Sequence, residues 1–276
     1  MRPVDGARSV RDLPGRTAAN IWRYEAGKMS VIRDEIATEY ALTIFVNDRE
    51  LATMVCTPDH MDELILGFLA SEGVIRNYGQ IESMDISTYR GVVRVKTKHD
   101  LNINQDFYNK RYIGSCCGKS RQSFYFFNDA QTAKFVEDET KISPAEIFQS
   151  MDAMDAEACL FHATGGVHIA CLCQAGKQQA ARLDIGRHNA LDKLYGYMMM
   201  GDRTPSGLAV AFSGRISSEV LLKVAKMGIG IVLSRSAPTA LALQMAEELN
   251  ITTVGFVRNT SFNVYTHSWR VEQSCS

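Results

Sequence analysis

Apolar runs at residues 42–46 and 51–55 flank the polar cluster Asn47-Asp48-Arg49-Glu50. Two such runs around turn-forming residues predict a β-hairpin. Thr57-Pro58-Asp59 follows, with Pro58 at the position where a first helical turn tolerates proline. Met61, Leu64, Ile65, Phe68 and Leu69 then recur at helical spacing until Gly73 ends the pattern. Strands are predicted at Ile81–Ser87 and Val92–Thr97. A polar stretch, 98–110, separates this β-rich part from the rest.

The second half alternates short apolar strands with amphipathic helices. Ser143-Pro144-Ala145-Glu146 is a capping box with proline at the first helical position, opening a helix to about Ala158. Residues 167–173 read as a strand and 189–200 as a helix. Leu208–Phe212 is uninterruptedly apolar, the pattern of a strand buried on both faces. Ser217 or Ser218 caps a helix that runs to Gly228. Residues 229–233 are a strand, 238–249 a helix ended by Asn250, and 251–257 another strand. Successive β-α-β units predict an α/β fold with a mostly parallel sheet and helices on its faces. The expected organisation is a flexible tail at 1–20, a β-rich part with one helix at 21–110, and the α/β core at 111–276.

The chain has 276 residues, 46% apolar and 22% charged, with a formal charge of −1. This is ordinary for a globular protein and gives no general affinity for nucleic acid or an anionic membrane. No apolar run is long enough to span a bilayer. The first residues carry Arg2, Arg8 and Arg11 without an apolar core, so no secretory signal is expected. Seven cysteines without a disulfide-framework spacing point to reduced thiols and the cytoplasm.

The chemistry concentrates in a few segments. Ile113-Gly114-Ser115-Cys116-Cys117-Gly118-Lys119-Ser120-Arg121 places two adjacent thiols between glycines, with cations two and four residues beyond. Nearby Lys or Arg lowers a thiol pKa from about 8.5 toward neutrality, and the thiolate is the reactive form. Glycines keep the backbone approachable. Polar clusters also follow three predicted parallel strands: Ser213-Gly214-Arg215 through Glu219, Ser234-Arg235-Ser236-Ala237-Pro238-Thr239, and Arg258-Asn259-Thr260-Ser261. In such sheets ligands collect at the carboxyl ends of strands, where helix amides and arginines hold phosphates. Thr164-Gly165-Gly166-Val167-His168 and Asp184-Ile185-Gly186-Arg187-His188-Asn189-Ala190-Leu191-Asp192-Lys193 are similarly polar. A zinc deaminase would need His-x-Glu followed by Pro-Cys-x-x-Cys, and neither is present. Cys171 and Cys173 face one side of a strand and lack partners at zinc spacing.

These motifs occur in an order that resembles the formate dehydrogenase accessory sulfurtransferases, the FdhD/NarQ family. The resemblance runs from Glu63-Leu64, Gly67-Phe68-Leu69 and Glu72-Gly73 through Cys117-Gly118-Lys119 and Thr164-Gly165-Gly166 with His168. It continues with Asp184 to Lys193, Ser213-Gly214-Arg215 with Ser217 and Glu219, Ser236-Ala237-Pro238-Thr239, and Gly255-Phe256 with Arg258. It implies a cytidine-deaminase-like three-layer core without the deaminase zinc. It further implies relay of persulfide sulfur from a cysteine desulfurase to the molybdenum cofactor, bis-molybdopterin guanine dinucleotide, bound as substrate. The sulfurated cofactor then serves the formate dehydrogenase apoenzyme, and the carrier is a homodimer. The candidate carriers are Cys117 and Cys116. Where many members have Cys-x-x-Cys before Gly-Lys, this chain has Gly114 upstream and Cys116 as an extra thiol, while Cys117 keeps the register. Leu183 also replaces an acid common before Asp184. The candidate cofactor-binding residues are Arg187, His188, Asn189, Ser213, Gly214, Arg215, Ser236, Thr239, Phe256, Val257, Arg258, Asn259, Thr260 and Ser261. A second reading is a cofactor-holding chaperone whose thiols transfer no sulfur. A deaminase-like hydrolase is disfavoured by the missing zinc signature.

Overall fold

The structure, a computed structural model, describes residues 14–98, 112–113 and 133–272. A two-stranded ribbon comes first: β1 (Arg16–Glu25) and β2 (Lys28–Ala37) are joined at Ala26-Gly27. Strand β1 therefore begins at Arg16, inside the stretch read from the sequence as a tail. A five-stranded sheet follows, in the order β5-β6-β3-β4-β7. Its strands are β3 (Tyr40–Val46), β4 (Arg49–Cys56), β5 (Ile81–Ser87), β6 (Val92–Thr97) and β7 (Tyr112–Ile113). Asn47 and Asp48, at φ 49° and 63°, close the β3–β4 hairpin. Both residue types tolerate that left-handed conformation, and the turn matches the strand twist. Helix α1 (Met61–Ser71) lays Leu64, Ile65 and Leu69 against Leu42, Ile44 and Met54 of the sheet.

Helix α1 starts at Met61 and not at Pro58, with His60 left-handed at its N-terminus. The preceding residues are held elsewhere. The Thr57 amide donates to Asp184 at 3.0 Å, and Asp59 pairs with Lys193. Tertiary contacts here override the local helix-start signal.

The core is a six-stranded sheet in the order β13-β12-β11-β10-β8-β9. It comprises β8 (His168–Gln174), β9 (Lys177–Asp184), β10 (Leu208–Phe212), β11 (Ile231–Ser234), β12 (Thr252–Arg258) and β13 (Ser261–Val264). On one face lies α2 (Pro144–Ala156), whose Ile147, Met151 and Met154 meet Ile169, Cys171, Ala211 and Leu233. On the other lie α4 (Arg187–Met200), α5 (Ser218–Met227) and α6 (Ala240–Leu249), packing Leu194, Val224 and Ala246 against Leu172, Val210 and Val232. Alternate residues of β8, β10 and β11 thus enter opposite cores, which explains the continuous apolar runs. The short α3 (Cys159–Thr164) precedes β8.

The expectation of a mostly parallel sheet in the cytidine-deaminase-like core is overturned on its strand directions: the sheet is mixed. Only β10–β11 and β11–β12 pair in parallel in the core, while β8, β9 and β13 are antiparallel to their neighbours. The five-stranded sheet is also mixed. The reason lies in the connections. Ala175-Gly176, at φ 48° and 73°, folds β9 straight back along β8, and Asn259-Thr260 folds β13 back along β12. Parallel neighbours need a crossover, which α5 and α6 supply and these turns do not.

The two sheets are joined through α1 and α4, which touch backbone to backbone. A Cβ on Gly67 would lie 1.8 Å from the Asp192 carbonyl oxygen, and one on Gly196 1.9 Å from that of Glu63. Around this crossing, Arg182 forks onto the Glu63 carboxylate, with Nη2 2.6 Å from Oε1. The Ser71 hydroxyl donates to Asp192 at 2.7 Å, and Lys223 pairs with the same carboxylate.

Candidate functional site

The sheet topology collects the polar motifs along one edge. Parallel β10, β11 and β12 all end there. Because Ala170 pairs with Phe212, the start of antiparallel β8 lies beside the end of β10. His168 pairs with Asp184, so β9 ends at the same place and delivers Arg187 and His188 on the first turn of α4. Segments spread over residues 168 to 258 are thereby collected on one edge.

At the centre, His188 Nε2 lies 2.8 Å from the Glu219 carboxylate, and Arg187 Nε is 3.4 Å from the same nitrogen. Burial pulls the His188 pKa below the ordinary histidine value, although Glu219 opposes it. Burial also lowers His168, helped by Arg187 and His188. Both imidazoles are thus shifted toward the neutral form, which leaves the Glu219 carboxylate and the arginines as the charged groups of this edge. The Ser213 hydroxyl accepts from the Ile169 amide at 3.0 Å, which pins the end of β10 to the start of β8. Gly214 lies against Phe212 and His168, with a Cβ there 2.9 Å from the Phe212 ring.

The next two loops are equally ordered. Ser234 donates to the Gly214 carbonyl at 2.7 Å and accepts from the Ser236 amide at 2.9 Å. The Ser236 carbonyl accepts from the Phe256 amide at 3.3 Å. Phe256 has φ 52° and its ring is 40% exposed, within a bulge that interrupts β12 between Gly255 and Arg258. Bulges of this kind re-aim side chains at sheet edges. Arg215, Arg258, Asn259, Thr260 and Ser261 are exposed on this edge, while Val257 is buried in the core.

Some candidates have internal roles. The Thr239 hydroxyl caps α6 through the Ala242 amide, and Ser217 caps α5 through the Val220 amide. Asn189 is buried and donates to Asp184 and to the Val55 carbonyl, both at 2.9 Å. Arg235 turns away from the edge, to Asp155 and to the Val257 carbonyl at 2.9 Å. His168 and Glu219 belong to quoted motifs but not to the candidate binding set, yet the structure puts them at its centre. The signal for Glu219 was its position one turn after a glycine-arginine loop, ordinarily read as a helix-dipole carboxylate.

Behind the edge lies a charge cluster built on Asp184 and Lys193, the two ends of the polar motif. Lys193 has no exposed surface, yet its ammonium is 2.9 Å from Asp184 and also pairs with Asp59. It donates to the Leu183 carbonyl at 2.9 Å and lies 3.3 Å from that of Thr57. Burial alone would lower its pKa, but Asp184 and Asp59 outweigh burial and raise it. Burial raises the Asp184 pKa despite Lys193, the Gly186 amide and Asn189. The cluster locks the end of β4 to the start of α4, and so fixes the edge relative to the five-stranded sheet.

Cys116, Cys117, Lys119 and Arg121 lie outside the described residues. Ile113, three residues before Cys116, pairs with Met54 near the end of β4. Among the described cysteines, Cys56, Cys171 and Cys173 are buried and Cys159 is exposed. Burial and Asp184 push the Cys56 thiol up to about 12. The neighbouring Cys173 and burial raise Cys171 as well. Among the described residues no group of three or more His, Cys, Asp or Glu is placed to hold a metal ion, and no helix is long and apolar enough to cross a membrane.

Comparison with known proteins agrees with the motif order. The FdhD/NarQ family model matches residues 37–272. The sulfur carrier protein FdhD of Bacillus subtilis is 52% identical over 254 residues, covering 92% of this chain and 97% of its relative. That of Halalkalibacterium halodurans is 54% identical over 239 residues, covering 86% and 88%. A crystal structure from Desulfotalea psychrophila, of a protein assigned as a formate dehydrogenase accessory protein, superposes with TM-score 0.77 at 24% identity. It covers 94% of this chain and 100% of its own, and it supports the fold alone. With a family model spanning most of the chain and relatives at half identity over nearly their whole length, this protein belongs to the FdhD/NarQ family.

Proposed function

We propose that this protein is a sulfurtransferase that carries sulfur from a cysteine desulfurase to bis-molybdopterin guanine dinucleotide and so matures formate dehydrogenase. The observation that carries the reading is the 52% identity with a sulfur carrier protein over 92% of the chain. Cys117-Gly118-Lys119 stands in this sequence as the acceptor motif. A thiolate at Cys117 or Cys116 attacks the terminal sulfur of the donor's persulfide, and the donor leaves as its own thiolate. The loaded persulfide then passes its outer sulfur to the reduced molybdenum centre: the S–S bond breaks, the carrier cysteine leaves as its thiolate, and the metal supplies the two electrons that turn the sulfur into a sulfido ligand. Lys119 and Arg121 stabilise the anionic forms.

Incubation with a cysteine desulfurase and cysteine, followed by mass spectrometry, tests this reading. The peptide containing Cys116 and Cys117 is expected to gain the mass of one sulfur and to lose it on mild reduction. A desulfurase that turns over while that peptide stays unmodified would remove the relay.

The sheet edge is the proposed cradle for the guanine dinucleotide. Arg215 and Arg258 are exposed there, and α5 starts there. Arginine forks and helix amides suit diphosphate oxygens. Phe256 offers an exposed ring for a guanine face. GDP, as half of the ligand, is expected to bind saturably. Arg258→Ala should cost on the order of 1.5–3 kcal/mol, or roughly ten- to a hundredfold in affinity by calorimetry. Equal affinity in the two proteins would assign Arg258 to the solvent. The protein is further proposed to be a cytoplasmic homodimer.

A further inference from the structure

The β1–β2 ribbon is the least self-sufficient part of the described molecule. Its strands pair only with each other among the described residues, ten residues against ten. An isolated two-stranded ribbon is marginal in water. In an antiparallel pair, residues directly opposite share a face. Trp22 pairs with Val31 and Tyr24 with Met29, so all four occupy one face, and they are 68%, 54%, 69% and 57% exposed. The other face is different: Ile21 and Ile32 are opposite each other and half-buried. One face of the ribbon thus carries the half-buried Ile21 and Ile32 with the exposed Ile36, and the other presents four contiguous large apolar side chains.

We infer that this face is the homodimer interface, where the ribbon of a second copy packs face to face on Trp22, Tyr24, Met29 and Val31. The inference rests on the proposed dimer and names its surface. The arrangement is self-complementary. Both aromatics are on β1 and both aliphatics on β2. A two-fold axis along the strands lays β1 of each copy over β2 of the other. Trp22 then covers the second copy's Val31, and Tyr24 its Met29, which is the isologous contact a two-fold demands.

Charge and area agree with this occupant. The ribbon carries Arg16, Arg23, Lys28 and Arg33 against Glu25, Asp34 and Glu35. Arg16–Glu35 and Arg23–Asp34 are already paired within it. A nearly neutral surface meets its own copy without repulsion and gives a strongly charged partner little to recognise. At about 150–250 Å² for a whole aromatic side chain, the four residues expose roughly 400–500 Å². Two such faces remove roughly 800–1,000 Å² in total, the lower edge of a specific contact before the flanking ribbon residues are counted.

The ribbon is rooted at the candidate site. Thr38 donates to the Gly15 carbonyl at 2.9 Å, and Gly15 lies against Thr57 and Leu160. Gly166, two residues before His168, packs on Ala37, with a Cβ there 3.2 Å from that side chain. Pairing through the ribbon therefore tethers the second copy to the sheet edge that carries the proposed cradle.

Light scattering on a sizing column, with far-ultraviolet circular dichroism as the folding control, tests the inference. The wild-type chain is expected at twice 30.7 kDa. Trp22→Ser with Val31→Thr should run as the monomer with unchanged dichroism, its dissociation constant weakened on the order of a hundredfold. A separate readout uses Trp269→Phe, which leaves Trp22 as the only one of two tryptophans. Its emission is expected to move to the red on dilution, in step with dissociation. A double variant that dimerises as tightly as wild type, or a Trp22 emission that ignores dissociation, overturns the ribbon interface and leaves the dimer standing. A wild-type chain that is monomeric at all concentrations overturns both.

Discussion

With Cys116 and Cys117 both replaced by alanine, formate dehydrogenase is expected to stay at the background activity of a strain lacking this protein. Sulfur relay needs a thiolate that can attack a persulfide and then carry one. The buried thiols among the described residues cannot take over. Cys56 is buried with its thiol pushed up to about 12, and Cys171 and Cys173 lie inside the sheet. Thiols buried in this way are out of reach of a donor persulfide. Cys159 is exposed, so Cys159→Ala is the control, expected to retain full activation. Between the single variants, Cys117→Ala should lose more than Cys116→Ala, because Cys117 holds the register before Gly118-Lys119. Dehydrogenase activity in the complemented strain and the melting temperature of each purified variant are the measurements. Full activation by the double variant with normal folding would sink the relay and favour a chaperone that only holds the cofactor.

How far the fold was legible depended on where each element's signal resides. Elements whose signal is local were read almost to the residue. Leu208–Phe212, Ile81–Ser87 and Val92–Thr97 are strands as expected, and the Ser143 capping box opens α2. Elements decided by partners were not. Strand β9, with its polar Lys177, Gln178 and Gln179, carries no apolar run, and only pairing to β8 makes it a strand. Missing it, and missing the return of β13, turned a mixed sheet into a parallel one. The start of α1 moved because Asp184 and Lys193, more than 120 residues away, hold Thr57 and Asp59. The candidate site shows the same division. Three strand-end clusters on one edge were legible, since topology alone places them. The pairing of His188 with Glu219, the burial of Asn189 and the outward turn of Arg235 were not, because each depends on a contact between distant segments.

Gly196→Ala is expected to destabilise the protein by about 3 kcal/mol or more, and Gly196→Val to prevent folding. Both glycines of the α1–α4 crossing sit inside helices, where alanine is normally favoured by about 1 kcal/mol. Propensity alone therefore predicts stabilisation, and packing must reverse the sign. The Cβ of residue 196 would stand 1.9 Å from the Glu63 carbonyl oxygen, a backbone atom that no rotamer change can move. The helices must part by more than an ångström, and a gap of that size forfeits about a quarter to a half of each dispersion contact along the crossing. Parting them also strains the Glu63–Arg182 fork and the Ser71–Asp192–Lys223 chain, whose charged members lose their partners while still buried. For a chain of this size the alanine variant should melt roughly 6–12 °C lower. Gly67→Ala should behave alike, since its Cβ meets the Asp192 carbonyl at 1.8 Å. The double variant should lose less than the sum, because either substitution already separates the same two helices. Thermal and urea unfolding followed by circular dichroism decide it. A Gly196→Ala chain as stable as wild type would mean that the crossing is looser than the geometry gives, and that α1 does not anchor the five-stranded sheet to the core through this contact.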